Sequence, residues 1–175
     1  VGKPDTFIEV QELVNNAKIM GINTMPPSIA HMNEEFELIE QHPRYGLTNV
    51  KGVGSSVFNK MVNHMESENI DPKTCDWPCF LLLVSPKVNK RAFEGLILAG
   101  AFDCFKMSRS KMQHHYGIVK EFSKREISWL IEYKKNNPDK ITEDCIQDMI
   151  DASQDKDKNR PIFRKARIPI VMDLL

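Results

Sequence analysis

Apolar residues recur with helical spacing along most of the chain. The first apolar series lies within residues 7–20 and ends at Gly21, so it predicts a helix that stops at this glycine. Pro26 and Pro27 predict an extended passage, because proline disfavours helix at the residue before it. Residues 36–46 predict a short β-hairpin. Further helices are predicted near residues 47–51, 55–66, 77–84, 89–98, 108–121, 124–136 and 142–152, with Asn89, Ser108 and Thr142 as N-caps.

The last part of the chain has a different pattern. Residues 153–160 are mostly charged and lack large apolar residues, which is typical of a linker. Residues 162–175 alternate irregularly and are compatible with a strand that opens a further domain. The sequence begins at Val1 without an initiator methionine, so we expect it to be a piece of a longer protein.

The segment Gly52-Val53-Gly54 stands between two predicted helices. A dinucleotide-binding loop would need a third glycine where the chain has Val57, and a P-loop would need a Gly-Lys-Ser/Thr ending. Two interpretations stay open: a plain helix turn, or a helix-hairpin-helix whose two glycines allow positive φ and close backbone approach. In the second, Val53 packs inward and the amides of Val53, Gly54 and Ser55 are free to bind an anion such as a DNA phosphate.

Side chains around this turn would add to such a site. Ser55 and Ser56 supply hydroxyl donors, and Lys51 and Lys60 supply positive charge. Contacts of this kind involve the phosphate backbone and not the bases, so they predict sequence-independent, salt-sensitive binding.

A second helix–turn–helix unit follows, with Gly100-Ala101-Phe102 as its turn. Only one glycine remains and Phe102 is bulky, so packing and phosphate binding are alternative roles for Gly100 and Ala101. Three cations follow the turn closely and are further candidates for contact with a phosphate backbone: Lys106, Arg109 and Lys111.

Charge is unevenly distributed although the formal net charge is zero. Residues 1–40 carry two basic and seven acidic groups, whereas residues 84–125 carry nine basic and three acidic groups. No acidic residue lies between Gln41 and Asn63. A basic middle of this kind suits a polyanion such as DNA, although a solvated surface of mixed charge is the alternative.

The remaining composition excludes several classes of site. Apolar residues make up 41% of the chain, as in a soluble globular protein, and no apolar run approaches the ~20 residues that span a bilayer. The four cysteines form one CxxxC pair and two isolated residues, which disfavours structural zinc and suits reduced thiols in the cytoplasm. His114 and His115 are adjacent, so on a helix they diverge by about 100° and do not suit one metal.

These features predict a mainly α fold, a tandem helix-hairpin-helix domain with a small mixed α/β N-terminal unit. The N-terminal unit, with its helix and short hairpin, covers residues 1–46. The tandem helix-hairpin-helix module covers residues 47–122, and a helical extension and linker toward a following domain cover residues 123–175.

Three stretches, in this order, resemble the alpha subunit of bacterial-type replicative DNA polymerase III, the C-family of polymerases. They are FIEVQELVNNAKIMGINTMPPSI, RYGLTNVKGVGSSVFNKMV, and VNKRAFEGLILAGAFDCF with SRSKM after it. The resemblance covers roughly residues 7–113. It implies the end of the fingers region followed by tandem hairpins that grip duplex DNA behind the active site, beside the sliding-clamp contact.

The resemblance also implies positions that contact DNA. The first hairpin matches at Lys51, Gly52, Val53 and Gly54, and the second matches at Gly100, Ala101, Phe102 and Asp103. Hairpins of this type also hold a monovalent cation on backbone carbonyls, and the matching carbonyls are those of Thr48, Val50 and Val53.

The catalytic motif of the family has no counterpart here. Asp71, Asp76 and Asp103 are isolated and lack the apolar strand that would hold two metals. We therefore expect this segment alone to be no enzyme and to need no cofactor. The resemblance implies a parent DNA-directed DNA polymerase, a nucleotidyltransferase, whose divalent metals belong to a palm domain outside this sequence.

The leading hypothesis is a non-catalytic segment of a replicative polymerase that binds the backbone of primer-template duplex DNA. The sliding clamp and other replisome subunits are further candidate partners, no membrane is expected, and the expected location is the bacterial or phage-infected cytoplasm. The alternative is a protein-interaction scaffold for the clamp or a replisome partner, in which the hairpins only pack helices. A repair-type enzyme is a third class, for which the sequence offers no residue set.

Overall fold

The computed structural model describes residues 6–136, 154–155, 160–161 and 168–174. The helices are α1 (Thr6–Ile19), α2 (Ser55–Ser67), α3 (Trp77–Val84), α4 (Lys90–Ala99), α5 (Arg109–Lys120), α6 (Lys124–Asn136) and α7 (Ile168–Leu174). The strands are β1 (Glu37–Ile39), β2 (His42–Arg44), β3 (Gln154–Asp155) and β4 (Arg160–Pro161), and short 3-10 turns cover Leu47–Asn49, Ser85–Lys87 and Asp103–Phe105. The mainly α fold class is confirmed. The predicted helix at 142–152 lies outside the described residues.

The predicted hairpin and the extended proline passage are both confirmed, and they pack together. Strands β1 and β2 pair antiparallel, and Glu40 and Gln41 turn the chain between them with positive φ. Met25 then adds to β2: its amide donates to the Pro43 carbonyl at 2.7 Å, and its carbonyl accepts from the Tyr45 amide at 3.0 Å. The passage before the first glycine turn is thereby fixed to the N-terminal unit.

The predicted helix at 47–51 is wrong, because only the 3-10 turn Leu47–Asn49 forms. Thr48 donates both its amide, at 3.1 Å, and its hydroxyl, at 2.6 Å, to the Glu34 carbonyl. The Asn49 side chain accepts the Gly46 amide at 2.8 Å. The local Asn49 bond competes with the helical hydrogen-bond ladder, and the two bonds to Glu34, 14 positions away, hold the segment against the N-terminal unit.

An aromatic cluster fills the core between α3, α4 and the second glycine turn. Its members have ring-centroid separations of 5.0 to 6.4 Å and are Trp77, Phe80, Phe93, Phe102 and Phe105. The predicted N-caps Asn89 and Ser108 are confirmed, since their side chains accept the amides of Ala92 and Lys111. The cluster ties the second turn to the core, to which Val50 and Val53 of the first turn also belong.

The C-terminal segment packs on this same core, contrary to the expectation of a strand. Residues 168–174 form α7, in which Val171 and Leu174 are buried. These two residues are three positions apart, so a helix brings both to one face. At least this part of residues 162–175 therefore belongs to the core that the aromatic cluster forms.

His115 on α5 is buried beside α7 and is held neutral. Only 1% of the residue is exposed, and its Nδ1 accepts a hydrogen bond from Trp77 Nε1 at 3.2 Å. Its Nε2 lies 3.7 Å from Asp173 Oδ2 of α7. Burial lowers the pKa of His115 below its ordinary value of 6.5, and Asp173 opposes this shift only in part.

This burial predicts a loss of stability in acid. In the unfolded chain the imidazole titrates near pH 6.5, whereas the buried ring takes up the proton at lower pH, so the unfolded state binds more protons in between. The free energy of unfolding should therefore fall as the pH drops below about 6.5. Urea unfolding between about pH 7 and pH 5 measures how steeply the free energy of unfolding changes with pH. His115→Asn should reduce this slope, and the amide oxygen of the asparagine can still accept a hydrogen bond from Trp77. His31→Gln is the control at an exposed histidine. A slope in His115→Asn equal to that of the wild type would contradict the assignment to His115.

Candidate nucleic-acid interface

The first glycine turn leads from the 3-10 turn at Leu47–Asn49 into α2. Val50 and Val53 are buried and anchor the turn to the core, as expected for Val53. Of the two glycines in this turn, only Gly52 has positive φ, at 96°, whereas Gly54 is extended with φ −91° and ψ 173°. An added Cβ at Gly54 would meet nothing within 4 Å, so this glycine leaves open space in front of α2.

The backbone amides after the turn face this open space. The amide of Val53 donates to the Val50 carbonyl at 3.0 Å, so it is not free as the sequence pattern suggested. Within residues 6–136, the amides of Gly54, Ser55 and Ser56 have no hydrogen-bond partner. Gly54 is the N-cap and offers no capping side chain. The N-terminal end of α2 can therefore accept an external anion on amides that need a partner.

The charge around these amides is positive. The first turn of α2 carries no acidic residue. Lys51 and Lys60 are exposed, and neither forms an ion pair with any residue that the structure describes. Ser56 and Lys60 are four positions apart, so Lys60 stands one turn further along the same side of α2. The helix dipole and the two ammonium groups add to the same attraction.

The second glycine turn is closed by its own hydrogen bonds. Gly100 ends α4 with φ 86°, and the amides of Gly100 and Ala101 donate to the Ile97 and Leu96 carbonyls. The buried Ala101 also accepts the Ile29 amide at 2.9 Å on its carbonyl. Neither amide is available to a ligand, and the geometry favours the packing role of this turn.

Arg109 also serves the second turn. Its Nε and Nη2 donate to the two carboxylate oxygens of Asp103 at 3.1 and 2.7 Å, and its Nη1 donates to the Leu98 carbonyl at 3.0 Å. The hydrogen bonds with Asp103 raise the pKa of Arg109. All three cations are exposed, but the guanidinium of Arg109 is engaged at the end of α4, whereas Lys106 and Lys111 form no ion pair with any described residue.

The two turns are held together by close backbone packing. A Cβ added to Gly95 of α4 would lie 2.8 Å from the Lys51 carbonyl oxygen. A Cβ at Gly52 would lie 3.0 Å from Cγ of Arg91 and 3.5 Å from the Ala92 nitrogen. Helix α4 therefore lies directly against the first turn, at a distance that only glycine permits.

The described residues present no cluster suited to a metal. Groups of three or more His, Cys, Asp or Glu side chains that could share an ion do not occur in these ranges. Burial, with help from the nearby Cys79 thiol, raises the pKa of Cys75 to about 12, so this thiol stays protonated. The carbonyls of Thr48, Val50 and Val53 are the predicted site for a monovalent cation. The Val50 oxygen already accepts a hydrogen bond from the Val53 amide, and cation binding at this site stays a prediction.

The sequence model of one family, described as "Helix-hairpin-helix motif", matches residues 21–112. This range contains both glycine turns and covers more than half of the chain. The chain belongs to the helix-hairpin-helix family. No helix in the parts of the chain described above is long and apolar enough to cross a membrane.

Curated relatives of this helix-hairpin-helix chain are alpha subunits of DNA polymerase III. The subunit of Chlamydia trachomatis is 32% identical over 106 residues, which is 60% of this chain and 8% of the relative. That of Campylobacter jejuni is 31% identical over 128 residues, 70% of this chain and 10% of the relative. That of Thermus aquaticus is 30% identical over 97 residues, 55% of this chain and 8% of the relative. The resemblance seen in the sequence is confirmed, and the chain spans a tenth or less of these relatives.

The structure adds two helix-hairpin-helix residues that the sequence analysis did not select. Gly95 and Arg91 lie on α4, far from the first turn in sequence, yet both contact it. Gly95 could have been noticed because it is a glycine inside a helical pattern, and such a glycine often marks a place where another segment packs closely. Nothing in the pattern distinguishes Arg91 from Lys90, the other basic residue of α4.

Proposed function

We propose that this chain is the DNA-binding, non-catalytic segment of a replicative DNA polymerase. It binds the backbone of the primer-template duplex without sequence preference. The observation that carries the proposal is the open N-terminal end of α2, where the amides of Gly54, Ser55 and Ser56 lack partners within residues 6–136. A phosphate oxygen has the charge and the acceptor capacity that these donors require.

The surroundings of the turn support a phosphate ligand. Between Gln41 and Asn63 the chain has no acidic residue, and Lys51 and Lys60 flank the amides. The donors are backbone groups, hydroxyls and ammonium groups that reach phosphates and not base edges. Affinity should therefore be similar for unrelated sequences and should fall steeply with salt.

The two hairpins divide the work in this proposal. The first hairpin presents amides and cations to the duplex. The second hairpin, whose turn is closed by hydrogen bonds of Ala101 and Arg109, holds α4 in place beside the first. Polymerisation itself, and the divalent metals it needs, belong in this proposal to another part of a longer polymerase. The relatives are DNA polymerase III alpha subunits of which this chain covers a tenth or less.

Removing the two lysines tests the proposal. In the variant Lys51→Gln/Lys60→Gln, the slope of log affinity against log salt should fall by about two, because each lost phosphate contact removes about 0.9 from the slope. Fluorescence anisotropy of a labelled duplex, titrated at several salt concentrations, measures the slope. Two duplexes of unrelated sequence should give the same result.

Lys73→Gln is the control for loss of a positive charge elsewhere on the chain. Lys73 is exposed and follows the C-terminal end of α2, a helix of 13 residues and so about 20 Å long. Its removal should leave the slope close to that of the wild type. If the wild-type chain does not bind duplex even at low salt, the proposal fails and a protein-interaction scaffold becomes the better explanation of the two hairpins.

A further inference from the structure

We infer that Arg91 of α4 is a further phosphate-binding residue, which acts on the duplex backbone together with the first hairpin. This inference rests on the proposed function and deepens it. Arg91 is 39 positions after Gly52 in the sequence, and only the packing of α4 brings it to the turn.

The position of Arg91 follows from two glycines. Gly95 lets α4 approach the Lys51 carbonyl, where an added Cβ would lie at 2.8 Å. One turn earlier on the same helix, Cγ of Arg91 lies 3.0 Å from the place of a Cβ on Gly52. The aliphatic stem of Arg91 is therefore laid across Gly52, and its guanidinium belongs to the surface around the first turn.

The guanidinium of Arg91 has no internal role within the described ranges. It is exposed and forms no hydrogen bond or ion pair there. The nearest arginine in sequence, Arg109, differs because Asp103 and the Leu98 carbonyl occupy its donors. Glu94 is the acidic residue on this part of α4, and Lys90 pairs with it at 3.7 Å. Arg91 thus keeps its charge and its donors for an external partner.

An open groove of about 430 Å³ joins Arg91 to the first turn. Its lining residues are Lys51, Lys90, Arg91, Glu94, Gly95 and Leu98. Arginine presents a planar fork of donors that matches two oxygens of one phosphate. With Lys51 on the same groove, Arg91 extends the cationic surface from the N-terminal end of α2 onto α4. The ligand class is a backbone phosphate of duplex DNA next to the one that the α2 amides bind.

Salt-dependent duplex binding by the full chain tests the inference. Arg91→Gln should reduce the salt slope by about 0.9 and weaken binding roughly five- to tenfold at about 0.1 M salt, the effect of one phosphate contact. Arg91→Lys retains the charge and should keep the wild-type slope. Lys73→Gln is again the control for charge, and thermal unfolding of each variant confirms that the exposed substitution leaves the fold unchanged.

The outcomes separate this inference from the proposed function. If the wild type binds duplex and Lys51→Gln/Lys60→Gln lowers the slope, but Arg91→Gln behaves like Lys73→Gln, Arg91 is not a phosphate contact. A slope in Arg91→Lys as low as in Arg91→Gln would also overturn the inference, because charge would then not be the cause. Failure of the wild type to bind would instead overturn the proposed function.

Discussion

Phe102→Ala is expected to lower the free energy of unfolding by about 3–5 kcal/mol, the usual cost of emptying a buried phenylalanine site. Phe102 is fully buried, and its ring packs on Trp77 at 5.7 Å, Phe80 at 5.2 Å and Phe93 at 5.1 Å between centroids. The rings around it belong to α3 and α4, so the truncation leaves a cavity between these two helices. Urea unfolding followed by far-UV circular dichroism measures the change.

Leu98→Ala is the control for Phe102→Ala. Leu98 is 59% exposed on α4, so its truncation should change the free energy of unfolding by no more than about 0.5 kcal/mol. A similar small effect of Phe102→Ala would contradict the view that the second turn is a packing element built around this ring.

Gly95→Ala is expected to destabilise the protein by about 1–3 kcal/mol, although alanine normally favours a helix over glycine. The new methyl group would lie 2.8 Å from the Lys51 carbonyl oxygen and 3.2 Å from Cγ1 of Val50. The first contact is with backbone, so relief requires α4 to move away from the first turn. The same urea titration measures the loss, and duplex binding should weaken because Arg91 and Lys51 separate.

Gly117→Ala is the matched control, since it is the same substitution on another helix. Gly117 lies on α5, and an added Cβ would meet nothing within 4 Å. At this position only the higher helix propensity of alanine over glycine matters, so the variant should be more stable by about 0.5–1 kcal/mol. If Gly95→Ala and Gly117→Ala changed the free energy of unfolding in the same direction, α4 would not need a glycine to pack against the first turn.

Much of the fold could be predicted from local patterns. Helical periodicity and capping residues gave α4 and α5 with their N-caps Asn89 and Ser108, and alternation with a tight turn gave the β1–β2 hairpin. The segment at 47–51 could not be predicted in this way. The segment has a helical pattern but does not form a helix, because Thr48 makes hydrogen bonds with Glu34, a residue 14 positions away.

The candidate interface could be predicted in part. Lys51, Gly54, Ser55, Ser56 and Lys60 are all exposed around the first turn, as their pattern suggested, and their contact with DNA stays a prediction. The sequence made the first turn the main candidate for phosphate binding and the second, with its one glycine and bulky Phe102, the weaker one. Asp103 and the Leu98 carbonyl occupy donors of Arg109, and this pairing has no signal in the spacing of charges.

The sequence by itself determined many local features of this protein: helices α1 to α6, most of their ends, the two glycine turns and the basic middle. These depend on neighbours within a few positions, which a linear pattern contains. Only the tertiary structure decided which distant segments meet. The amides of Val53 and Ala101 bond to carbonyls three and five positions earlier in their own turns, whereas α4 brings Arg91, which is unpaired within the described residues, against Gly52. The physical reason is that a contact forms only where two groups come within about 3 Å of each other, and for Arg91 and Thr48 the partner belongs to a segment that no local pattern contains.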